Sequence, residues 1–251
     1  MSKIISVHSF RGGTGKSNVT ANLTTLLAAE GRRVGVVDTD IQSPGIHVLF
    51  GLEEAAMVPS LNDYLWGKCA IEQAAHDVTQ HLGAAMKGQV FLIPSSIKAG
   101  EIARVLREGY DVGVLNDGFH KLVEKLRLDV LMIDTHPGLN EETLLSIAIA
   151  DTLVIVLRPD QQDYLGTGVT LEVARKLDVP HMVLVVNKTP PVFDSAEVKL
   201  RVEKTYACEV AAVLPHSDEM MVLASAGIFV VRYPDHPVTA ALKQVTAKLA
   251  A

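Results

Sequence analysis

Cysteine is nearly absent from this sequence: Cys69 and Cys208 are the only two in 251 residues, far apart and in no CxxC pair. That spacing signals neither a zinc site nor a disulfide framework, and it fits a reduced, cytoplasmic compartment. No apolar stretch is long enough to span a bilayer, and "MSKIISVHSF" is a short β-rich run without a signal peptide's small-residue cleavage pattern, so a soluble chain is expected. Positive charge is also scarce. A formal net charge of -6 and a pI near 5.8 argue against a general nucleic-acid binder, leaving a local basic face as the one route to such binding. Repeats, low-complexity tracts and Pro/Ser-rich linkers are missing too. With 48% hydrophobic residues, the chain reads as one domain over residues 1–251 with ample core.

What is present is a recurrence of short Val/Ile-rich runs between helical patterns: "KIISVHS", "RVGVVD", "VFLIPSS", "DVLMID", "TLVIVLRP", "HMVLVVNK" and "EVAAVLP". They are apolar on both parities, as strands of a parallel sheet buried on both faces must be. Alternation with helices predicts an α/β fold with a doubly wound, mostly parallel sheet flanked by helices. The helix after the first strand carries Val19, Leu23, Leu26 and Leu27 on one face, with Gly31 as its C-terminal stop. The segment from about Glu53 to Arg127 is the least periodic and the natural place for specialised insertions; the stripe Leu61, Tyr64, Leu65 and Trp66 within it reads as buried.

Between the first strand and the first helix lies "SFRGGTGKSN". Glycine is entropically costly to order, so Gly12, Gly13 and Gly15 together mark a loop that must approach something closely or adopt positive φ. Strand, glycine loop and helix in that order aim backbone N–H groups at phosphates, with Lys16 reaching the β- and γ-phosphates and the Ser17 hydroxyl suited to Mg²⁺. Phe10 stands where the common G-x-x-x-x-G-K-[ST] pattern has its first glycine. Two later strands end in acids: "VGVVDTD" in Asp38 and Asp40, and "VLMIDTHPG" in Asp134 followed by Pro137 and Gly138. In an open parallel sheet these strand ends share one crevice, so separate segments deliver carboxylates to one metal ion and one attacking water. His136 beside Asp134 reads as a packed or solvated loop residue, because the sequence names no partner to orient it.

In their order and spacing, "FRGGTGKSN", "VVDTDIQSPGIHVLFG", "IDTHPG" and "VVNK" resemble the MinD/ParA family of deviant Walker A P-loop ATPases over nearly the whole chain. The resemblance implies a fold of that class, Mg-ATP as ligand, and hydrolysis that is slow and partner-stimulated. It implies that Gly12, Gly13, Thr14, Gly15, Lys16, Ser17 and Asn18 cradle phosphate, and that Ser17, Asp38 and Asp134 serve the metal. Asp40, in switch I, positions the hydrolytic water, while Pro137 and Gly138 belong to switch II. Arg11 replaces the family's signature lysine, which contacts phosphate across an ATP-sandwiched dimer. A planar guanidinium there is expected either to act as a cross-dimer catalytic charge or to form a local ion pair.

Asn187 and Lys188 begin an N-K-x-x sequence whose fourth position, an Asp in guanine-specific proteins, is Pro190; lacking that carboxylate, the site favours adenine. The resemblance puts Asn187 on the adenine edge and the segment around Pro215 along the ring. Electron-transfer relatives bridge an iron–sulfur cluster with paired cysteines, which this chain lacks. Two readings stand: an ATPase switching between monomer and ATP-bound homodimer to position cargo or a division, partition or secretion apparatus through an unidentified protein partner, and a nucleotide-regulated interaction scaffold with little hydrolysis. DNA binding is possible but not favoured, because Lys98, Arg104 and Arg107, and likewise Lys199, Arg201 and Lys204, are interleaved with Glu. The terminal "HPVTAALKQVTAKLAA" has an apolar stripe, Val238, Leu242, Val245 and Leu249, but only two lysines and no aromatic. It reads as a helix docked on its own sheet and gives no clear membrane-targeting signal.

Overall fold

The computed structural model describes residues 2–83 and 86–250. Eight strands, β1 (Lys3–His8), β2 (Arg33–Asp38), β3 (His76–Asp77), β4 (Gln89–Ile93), β5 (Val130–Asp134), β6 (Thr152–Leu157), β7 (His181–Thr189) and β8 (Glu209–Pro215), form one sheet ordered β3-β4-β2-β5-β1-β6-β7-β8. All pairings are parallel except that of β3 with β4. Every long run expected to be a strand is one. The two-residue β3 was not anticipated: "HD" carries no periodic signal, and it pairs through the backbone at the edge of β4.

The helices are α1 (Lys16–Ala29), α2 (Ile46–Leu49), α3 (Leu61–Leu65), α4 (Ala99–Glu108), α5 (Val112–Lys125), α6 (Glu141–Ala148), α7 (Gln161–Lys176), α8 (Ser195–Tyr206), α9 (Asp218–Leu223), α10 (Phe229–Arg232) and α11 (Pro237–Ala250). Alternate strand residues pack on opposite sides of the sheet. Ile5, Val7, Val130, Met132, Val154 and Val156 join the core beneath α1, α10 and α11. The other parity splits in two: Ile4, Leu131 and Ile133 meet Leu115, Phe119 and Leu122 of α5, while Leu153, Ile155 and Leu157 meet Leu171 of α7 and Val198 and Val202 of α8. Burial of both parities is the doubly wound arrangement expected from composition.

Helix α1 differs from its one-faced expectation. Thr20, Ala21, Asn22, Thr24 and Thr25 are buried along with its leucines, because α10 and α11 cover the side turned away from the sheet. The side chain of Asn22 accepts a hydrogen bond from the Val230 N–H at 2.8 Å, tying α1 to α10. Val238, Leu242, Val245 and Leu249 of α11 are all buried against the chain's own core, as the terminal stripe suggested. Leu61 and Tyr64 are likewise buried; Trp66, partly buried, lies 3.7 Å beneath the Arg104 guanidinium. Among the described residues, no helix is long and apolar enough to cross a membrane.

Candidate nucleotide site

Strand order brings the motifs together. β1 lies between β5 and β6, and β2 borders β5, so the glycine loop after β1 opens beside the acidic ends of β2 and β5. Asp38 and Asp134 are register partners across β2 and β5, about 5 Å apart by ordinary strand spacing. Both are buried.

Gly13 and Gly15 have φ of +81° and +91°, conformations that let the loop wrap with its N–H groups turned inward. At Gly13 a methyl group would meet nothing within 4 Å, so backbone conformation alone sets the requirement. At Gly15 a Cβ would come within 2.5 Å of Asn187 Nδ2, and a side chain is excluded twice over. Lys16 Nζ, almost wholly buried, donates to Asp134 Oδ1 at 2.8 Å and lies 3.5 Å from Ser17 Oγ. Thr20, one turn further along α1, donates to the same Asp134 oxygen at 2.8 Å. Spacing of four from Lys16 was a signal that could have revealed it.

Asp38 holds the next loop. Its Oδ1 accepts from the Asp40 N–H at 3.1 Å and its Oδ2 from the Gly45 N–H at 3.1 Å. Burial, reinforced by the charge of Asp134 and opposed by Lys16, pushes the Asp38 carboxyl up to about 8. On the other side His8 is enclosed, and burial followed by the positive fields of Lys16 and His136 lowers it to about 3. The Thr135 hydroxyl donates to the Val7 carbonyl at 3.1 Å and so accepts from His8 Nδ1 at 2.8 Å. That assigns the neutral tautomer protonated on Nδ1.

Asp40, tied to Asp38 through its N–H, meets His136, whose Nδ1 is 2.7 Å from Asp40 Oδ1. Sequence reasoning passed over this pair because its members stand 96 positions apart and meet only when β2 and β5 are neighbours. Arg11 lies with its own chain's acids: Nη1 is 3.6 Å from Asp163 and 3.9 Å from Asp160, which also pair with Arg158. The local ion pair expected for Arg11 is present within the chain.

Asn187 is brought to the loop, but its side chain faces backbone: Nδ2 donates to the Thr14 carbonyl at 2.8 Å, and Oδ1 accepts from the Lys188 N–H at 2.8 Å. Lys188 Nζ reaches the Gly13 carbonyl at 2.8 Å. Together they clamp the loop from β7. A cleft of about 470 Å³ opens beside them, lined by Gly15, Asn18, Asn187, Lys188, Pro215 and Met220, among others. Its size and semi-apolar walls suit a purine ring.

The residues present fit Mg²⁺ and a nucleoside triphosphate. A left-handed glycine cradle, a buried Thr14 hydroxyl without a partner, a lysine and an all-oxygen set of Ser17, Asp38 and Asp134 converge at one crevice. The ParA family model, described as NUBPL iron-transfer P-loop NTPase, matches residues 1–250. The chain belongs to the ParA/MinD family of P-loop NTPases. An uncharacterised ATP-binding protein of Methanocaldococcus jannaschii is 30% identical over 99% of this chain and 88% of its own length. An iron–sulfur cluster carrier protein of Pyrococcus abyssi is 24% identical over 98% of this chain and 84% of its own. Among solved structures, the septum site-determining protein MinD of Pyrococcus horikoshii, complexed with Mg-ADP, superposes with a TM-score of 0.81 at 21% identity, covering 99% of this chain and 96% of that one. This ParA/MinD member therefore has an eight-stranded, mostly parallel sheet, with its glycine loop, the acids at the ends of β2 and β5 and the Lys188 contact at one end of the sheet.

Proposed function

We propose that this chain binds Mg-ATP and hydrolyses it slowly, as a nucleotide-dependent dimerisation switch that positions a cargo or an assembly through a protein partner. The observation that carries the reading is the convergence of Lys16, Ser17, Asp38, Asp40 and Asp134 from three separate segments on one crevice. Gly12 to Asn18 cradle the phosphates, and the base enters the cleft between Asn187 and Pro215. Ser17 and Asp134 hold Mg²⁺, with Asp38 completing its surroundings; the ion supplies charge neutralisation at the phosphates. Lys16 adds positive charge there, and Asp40 orients the attacking water. Ordering of the loops at Asp40 and Gly138 by the γ-phosphate is what changes the surface offered to a partner.

Cluster carriage, named for the Pyrococcus relative, is not extended to this chain. Cys69 packs with the α5 core and Cys208 with the α8 core, so the two thiols belong to different parts of the molecule, and burial pushes both up from the ordinary thiol range. Arg11, held by Asp160 and Asp163 in its own chain, favours a second reading: a scaffold that binds nucleotide but barely hydrolyses it.

Light scattering of wild type and Arg11→Ala with ADP and with a non-hydrolysable ATP analogue, paired with steady-state phosphate release, separates the two. ATP-dependent doubling of mass in wild type but not in the variant, with parallel loss of hydrolysis, supports the switch. Mass indifferent to nucleotide together with negligible phosphate release supports the scaffold.

A further inference from the structure

We propose that His136 is a positioning residue for hydrolysis, fixing the Asp40 carboxylate and joining switch I to switch II. The inference rests on the Mg-ATP hydrolysis reading above and assigns a residue to it that the motifs leave out. His136 Nδ1 and Asp40 Oδ1 are 2.7 Å apart, and both side chains are mostly withdrawn from solvent. A carboxylate only accepts, so the proton in this contact resides on Nδ1.

Each partner is itself held. The Asp40 N–H donates to Asp38 Oδ1 at 3.1 Å, and Asp40 Oδ1 accepts a second bond from the Ser43 N–H at 3.2 Å. The His136 carbonyl accepts from Thr143 Oγ1 of α6 at 3.3 Å, and two residues on the Gly138 N–H donates to the Ser9 carbonyl at 3.2 Å. Both bonds to the Asp40 side chain converge on Oδ1. Oδ2 is thereby left to accept from a water molecule while rotation of the carboxylate about its Cβ–Cγ bond is restrained. Restraining one oxygen sets the direction of the other, and orientation of a nucleophilic water acts on kcat rather than on nucleotide affinity. The same bond requires the loop after β2 and the loop after β5 to move together.

The stereochemistry supplies the test. Asparagine places its amide nitrogen near the Nδ1 position, whereas glutamine places it near Nε2, so only asparagine preserves the bond to Asp40. Steady-state phosphate release is measured for wild type, His136→Asn, His136→Gln, Asp40→Asn and the His136→Gln/Asp40→Asn double variant. In His136→Gln, kcat is expected to fall about tenfold with the KM for ATP within about twofold of wild type, and His136→Asn is expected to recover most of that loss. The double variant should be no slower than Asp40→Asn alone, since both changes remove one device. Equal loss in Asn and Gln, a change confined to KM, or additive losses in the double variant overturns the positioning role while leaving the ATPase intact. A wild type that releases no phosphate removes both the hydrolysis reading and this inference.

Discussion

At the scale of single residues, the crevice beside the glycine loop holds a cluster of buried, paired charge. Lys16 and Thr20 both satisfy Asp134 Oδ1 inside the protein. Lys16→Ala strands a buried carboxylate, and a loss of about 3 kcal/mol is expected in urea unfolding of the apo protein, along with loss of nucleotide binding. A second prediction concerns pH. Asp38 is raised to about 8, so between the ordinary carboxylate range and pH 8 the folded chain retains a proton that the unfolded chain has released. Stability from this group therefore falls as pH rises through that window. His8, lowered to about 3, acts oppositely: below about 6.5 the unfolded chain gains a proton that the folded one refuses, so stability falls as pH falls toward 3. The two slopes offset each other between about pH 4 and 6.5. Between about 6.5 and 8 only the Asp38 contribution remains, on the order of 1 kcal/mol lost per pH unit at most. Thermal melts of the apo protein should therefore decline from pH 6.5 to 8 in wild type and stay level there in Asp38→Asn.

At the scale of elements, the docking of α7 against the glycine loop deserves a direct test. A Cβ at Gly166 would overlap the Phe10 ring, so α7 can approach the loop only because position 166 has no side chain. Gly166→Ala should destabilise by about 1–3 kcal/mol and raise the KM for ATP by displacing the residue next to Arg11, with Phe10→Ala in the same chain restoring both. Urea titration and phosphate-release kinetics on the four-member cycle check this. Elements of this kind show where legibility ended. Strands β1, β2 and β5 announced themselves through Val/Ile on both parities, and Gly13, Gly15, Lys16 and Asp134 through spacing along the chain. The Gly166–Phe10 approach, the Asp160–Asp163 pair facing Arg11 and the His136–Asp40 bond each join segments from different strands. Their signal is a distance in space, which a one-dimensional pattern does not carry. Asn187 was legible as a site residue, but the loop carbonyl its amide meets was not.

For the whole molecule, one sheet with both faces covered makes the nucleotide crevice the edge of a continuous core. α11 closes that core over α1, and Leu242 is fully enclosed there. Leu242→Ala should cost about 2–5 kcal/mol by urea unfolding. Nucleotide should then restore part of the lost melting temperature, because a ligand bound only to the folded state stabilises it by mass action. A further whole-molecule expectation follows from the placement of its thiols. Reconstitution with ferrous iron and sulfide should yield no stable visible chromophore, and the Cys69→Ala/Cys208→Ala variant should match wild type in phosphate release; a chromophore lost in that variant would reinstate cluster carriage.

The Lys16–Asp134 ion pair reaches beyond stability. An incoming triphosphate competes with Asp134 for one ammonium, and drawing the lysine away uncovers an anion beside an arriving anion. A divalent cation answers that imbalance by giving Asp134 a new counter-charge at the moment its old one departs. On the proposed reading, nucleotide and cation are coupled ligands of one contact, and linkage requires each to tighten the other's binding by the same factor. Binding of nucleotide should therefore weaken as free magnesium falls, and the coupling runs through a single contact.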